Sequence, residues 1–139
     1  MSRSVVFSSV FFACFIATLS HASACAPKSA LELKAADNAA LKAYADFELE
    51  AISKPFGIDL YFCSEQNIQI ERIKVDATMP AHQHGMNYTP EITSMENGNF
   101  FISGMFFHMP GLWQLEISVY QVSNAVAPPM LFTLDIKAQ

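Results

Sequence analysis

Trp113, Leu115, Ile117 and Val119 alternate with Gln114, Glu116, Ser118 and Tyr120, and this period of two recurs along most of the chain. Successive side chains of an extended strand point to opposite faces. The pattern therefore describes strands with one face in a core and one in water, whereas a helix needs apolar neighbours three and four apart. Phe56, Ile58, Leu60 and Phe62 repeat it after Pro55, and Met130, Phe132, Leu134 and Ile136 repeat it after Pro128-Pro129. Ile68 and Ile70 share one parity while Ile73, Val75, Ala77 and Met79 share the other, so a bulge or turn is expected near Glu71-Arg72. Asn97-Gly98, between apolar runs at 92–95 and 100–107, predicts a two-residue hairpin turn. Met109-Pro-Gly111 predicts the next turn.

Residues 30–51 are rich in Ala, Leu, Glu and Lys, which by intrinsic propensity favour a helix. Their periodicity favours strands. Leu31, Leu33 and Ala35 alternate with polar residues, as do Leu41, Ala43, Ala45, Phe47 and Leu49 after Asp37-Asn38. A hairpin is the expectation, with a helix as its alternative. Seven to eight short strands with frequent turns make an all-β chain, an immunoglobulin-like antiparallel β-sandwich.

The first residues follow another rule. A weakly basic start, an apolar run over 5–19 and the small residues Ala22 and Ala24 form the pattern of a secretory signal peptide over residues 1–24. The run is short of the ~18–20 apolar residues of a membrane helix, and no later stretch approaches that length, so no transmembrane span is expected in the mature chain. Residues 25–139 suffice for one domain. They keep seven of the eight Lys and Arg and all thirteen acids, a net charge of −6. A nucleic-acid partner is not expected from such a surface.

Cys14 leaves with the signal, and the remaining Cys25 and Cys63 form an even pair, which in the periplasm or outside the cell implies a disulfide. The alternative is a lipid anchor on Cys25. Ala22-Ser-Ala-Cys25 resembles a lipobox, although without the usual Leu three residues before the Cys, and lipidation would leave Cys63 free.

His21 leaves too, so every mature histidine is His82, His84 or His108. The same window holds Met79, Met86, Met95, Met105 and Met109, and beyond it the mature chain has only Met130 of either type. Extended backbone would point His82, His84 and Met86, at spacing i, i+2, i+4, to one side. Thioether sulfur is soft and uncharged and suits Cu(I), while imidazole accepts Cu(I), Cu(II) or Zn(II). A copper site, most naturally Cu(I), is the expectation, drawn from His82, His84, Met86, Met105, His108 and Met109. Packing is the competing reading for Met105, which shares the parity of Phe101 and Phe107, and for Met95. Met79 fits core and ligand equally, and a solvated loop is the alternative for the His-x-His pair. No Gly-x-Ser-x-Gly setting or phosphate-cradling Gly-rich loop is present, and the chain does not read as an enzyme.

Met79-Pro-Ala-His82-Gln-His84-Gly-Met86, a Gly-containing hairpin, and Phe107-His108-Met109-Pro-Gly-Leu-Trp113 with its following strand resemble the YtkA-like domain family of small secreted or membrane-anchored β-sandwich domains. Lys54-Pro-Phe56 entering a strand fits too, and the resemblance covers about 55–137. It implies copper handling in the cell envelope, with His82, His84, Met86, His108 and Met109 as candidate ligands. Pro110 and Gly111 would turn the chain so that His108 sits at a rim, and Trp113 would anchor the core. The expected function is an exported protein that holds Cu(I) for delivery to a copper-accepting envelope protein, or sequesters it. The alternative is a non-catalytic envelope accessory domain without metal.

Overall fold

The computed structural model describes residues 25–37, 40–122 and 127–139. The expected signal segment and Asn38 of the expected turn lie outside the described residues. Within them, seven strands have four or more residues: β3 (Leu41–Asp46), β4 (Pro55–Ser64), β5 (Ile70–Met79), β7 (Glu91–Ser94), β8 (Phe100–Phe106), β9 (Gly111–Gln121) and β10 (Met130–Ala138). Three more have two residues each: β1 (Leu31–Glu32), β2 (Lys34–Ala35) and β6 (His84–Gly85).

They form two antiparallel five-stranded sheets, ordered β1-β3-β4-β8-β7 and β2-β10-β9-β5-β6. The chain changes sheets between β1 and β2, β2 and β3, β4 and β5, β6 and β7, and β8 and β9. In an immunoglobulin sandwich A, B, E and D form one sheet and C, F and G the other. Here β4, β8 and β7 take the B, E and D places, β5, β9 and β10 the C, F and G places, and β3 is an added strand between β1 and β4. The outermost strands are two to four residues long, which limits the row of unpaired backbone groups offered to another chain.

The alternation places the core. Trp113, Leu115, Ile117 and Val119 of β9 are all buried, as are Ile58, Leu60 and Phe62 of β4. Phe62 of one sheet meets Phe132 of the other at 6.3 Å between ring centroids, and Phe107 lies flat on Trp113 at 4.6 Å. Each large apolar side chain removed from water contributes about 1.5–3 kcal/mol, so these facing rows hold the sheets together. The expected parity switch is a register shift between Ile70 and Arg72 where β5 pairs with β9. The Asn-Gly turn forms as well. Asn97 and Gly98 both have positive φ, and Asn99 N–H donates to the Glu96 carbonyl, closing a primed turn whose twist suits a hairpin.

Residues 30–51 depart from the simple hairpin. The segment is strand and not helix, but it splits at Leu33: β1 pairs with β3, and β2 crosses to pair with β10. Leu33 is buried at the crossing, whereas Leu31, expected on the same inner face, is 51% exposed on the edge. β3 ends at Asp46, so Phe47 and Leu49 pack on the core from a loop and not from a strand.

Cys25 and Cys63 form a disulfide with Cα atoms 5.8 Å apart, tying the chain before β1 to the end of β4. That bond uses the Cys25 sulfur that a lipid thioether would need, so the disulfide-bonded chain carries no anchor there. Among the described residues no helix is long and apolar enough to cross a membrane.

Candidate functional site

The two motifs meet at one end of the sandwich. β5 turns back into β6 with Met79 opposite His84, and the His82 N–H donates to the Met79 carbonyl at 3.0 Å to hold the turn. Gln83 takes a positive φ within it. Directly opposite strand residues point their side chains to the same face, so His84 shares the core-facing side with Met79. The Met86 N–H donates to the Ala77 carbonyl at 3.0 Å, and Met86 packs half-buried on the core. Because β6 is an edge strand, His82 and His84 remain exposed. The extended run expected over His82, His84 and Met86 is therefore interrupted, since His82 belongs to the turn. The turn nevertheless brings the two imidazoles to 6.4 Å between ring centroids, with planes 25° apart. The rings stack, and a metal lies in the plane of the imidazole that binds it, so a shared ion requires one of these exposed side chains to rotate.

The second motif is built on Trp113. Its indole N–H donates to the Met109 carbonyl at 3.0 Å, closing the Met-Pro-Gly turn, and the Ser53 N–H donates to the Phe107 carbonyl at 2.7 Å. One face of the indole is covered by Phe107, and His108 stands edge-on to it at 5.4 Å. Nδ1 of His108 is buried without a hydrogen-bond partner. A buried polar atom left unpaired costs about 1–3 kcal/mol, which a ligand at that atom would offset.

Gly111 joins the motifs. Its φ is +135°, and a Cβ there would come within 2.7 Å of Cε of Met79. The Met79 methyl thus occupies the space that a side chain would fill. Gly111→Ala is expected to destabilise the fold by about 1–3 kcal/mol, from backbone strain and displacement of the buried Met79. Urea unfolding of the two proteins checks this, and equal midpoints would show that the turn relaxes freely.

The other candidates fall in different places. Met109 is half-buried at the turn. Met105 is fully enclosed in the core, paired opposite Phe56 on β4. Met95 is 51% exposed beside the Asn-Gly turn, at the far end of β8 from His108. Among the described residues no three His, Cys, Asp or Glu side chains gather as a metal-holding group, so His82, His84 and His108 do not form a three-histidine site. Met79, outside the expected ligand set, lies between the motifs, a position that becomes visible only once the β5–β6 register is known.

Comparison of the chain with protein-family models, with curated proteins and with solved structures found no match.

Proposed function

We propose that this chain is an exported copper-binding protein that holds Cu(I) at one open end of its sandwich and delivers it to a copper-accepting envelope protein or sequesters it. The ligands come from His82, His84, Met86, His108 and Met109, with Met105 left to the core. The observation that carries the reading is the buried, unpartnered Nδ1 of His108 on the same end as the paired imidazoles of His82 and His84. Half-buried thioethers beside imidazoles suit Cu(I) better than Zn(II) or a hard cation. The disulfide supports an oxidising compartment, the periplasm or the cell exterior. Exposed ligands at an edge strand favour transfer over permanent storage.

The test is competition of residues 25–139 against a Cu(I) chelator, alongside His82→Ala, His84→Ala and His108→Ala. The wild type is expected to withhold Cu(I), and each variant to lose roughly tenfold or more in affinity. Equal, weak binding by all four proteins would overturn the proposal. The second reading, an accessory domain without metal, is favoured by the lack, among the described residues, of three His, Cys, Asp or Glu side chains grouped to hold a metal. It predicts a melting temperature indifferent to Cu(I), whereas binding to the folded state alone raises it.

A further inference from the structure

We infer that Met79 is a further ligand of this site, the buried thioether that sets its preference for Cu(I) over Zn(II). The inference rests on the copper reading above and extends it to a residue outside its ligand set.

Three observations converge on Met79. Across the β5–β6 hairpin it faces His84, so the two side chains share one side of the sheet. Toward the other neighbour, β9, the ladder ends at Thr78 opposite Gln114, one residue short of Met79 and of Trp113, the ring on which His108 stands. Met79 thus lies between the exposed histidine pair and the half-buried His108. Its side chain then reaches over the Met-Pro-Gly turn, with Cε against Gly111. The sulfur is one bond back from that methyl.

The surroundings select the chemistry. Met79 is 1% exposed, and Phe107 and Trp113 form the fully buried floor below His108. A carboxylate or thiolate placed there would bring a charge into an apolar setting at high cost. A thioether is neutral, needs no hydrogen bond, and coordinates Cu(I) while binding Zn(II) poorly. A hydrocarbon of the same volume would fill the space equally well, so the sulfur is the part of Met79 that packing does not require.

Met79→Leu conserves volume and removes only the sulfur, and Met105→Leu is the matched control for a buried core methionine. Cu(I) and Zn(II) affinities of the wild type and both variants would be measured by chelator competition, and sulfur scattering by X-ray absorption at the copper edge. Met79→Leu is expected to weaken Cu(I) binding roughly tenfold or more, to reduce the sulfur scattering, and to leave Zn(II) binding unchanged. Met105→Leu should alter none of these. As a measurement on the unaltered chain, the 13C-labelled methyl of Met79 is expected to shift on addition of Cu(I), and that of Met105 to stay in place. A wild type that binds Cu(I) with its Met79 methyl unmoved, or a Met79→Leu variant with wild-type affinity and sulfur scattering, would overturn the inference and leave the copper reading standing. A wild type that binds no Cu(I) overturns both.

Discussion

Trp113→Ala is expected to lower the unfolding free energy by about 3–5 kcal/mol. Trp113 is fully buried, lies flat against Phe107, supports His108 on its edge, and donates its indole N–H to the Met109 carbonyl. Truncation opens a cavity where the sheets face each other and leaves the turn carbonyl without its donor. A domain of this size has about 5–15 kcal/mol to lose, so the variant would be close to unfolding at ambient temperature. Urea unfolding of residues 25–139 followed by far-UV circular dichroism checks this. A change below about 1 kcal/mol would mean that the neighbours collapse into the space.

Removing the disulfide by Cys25→Ser with Cys63→Ser is expected to cost about 4 kcal/mol on the chain-entropy estimate for this loop. The two cysteines are 38 residues apart in sequence, and the bond holds the start of the described chain on β4. Beside it, β1 and β2 contribute only two paired residues each, so few other contacts fix that segment. The midpoint of urea unfolding should fall while the native strand content persists. Loss confined to fraying before β3, with the midpoint unchanged, would instead show that the segment unfolds independently of the core.

The sandwich was legible wherever a strand has water on one face and core on the other. The β9 rows sort by parity because both neighbours, β10 and β5, hold the strand straight. The change of parity near Arg72 announced a bulge or a turn, and the register shift between Ile70 and Arg72 is the bulge. Leu31 was misleading because an edge strand that leaves its sheet after two residues has no partner sheet above it. Alternation records which face is apolar, not whether anything covers it.

At the candidate site, composition and spacing picked out a window but not its connections. His82 and His84 come close through a turn and not through extended backbone, since Gln83 takes a positive φ. Met79 could not be placed because its neighbours depend on the cross-strand register with β6 and β9, a long-range property that no local pattern encodes. The unpartnered His108 nitrogen likewise depends on how Trp113 and Phe107 stack beneath it.

The disulfide lies near the Ser64 end of β4, and the Met-Pro-Gly turn follows the strand paired with its Pro55 end. At the usual strand rise, Cys63 is roughly 25 Å from that end. On the copper function proposed above, this separation bears on the order of maturation. Free thiolates are charged, soft and stronger competitors for Cu(I) than any thioether. Oxidation removes them without constraining the histidine end, so a chain folded and oxidised before it meets the metal has already discarded its wrong binding site.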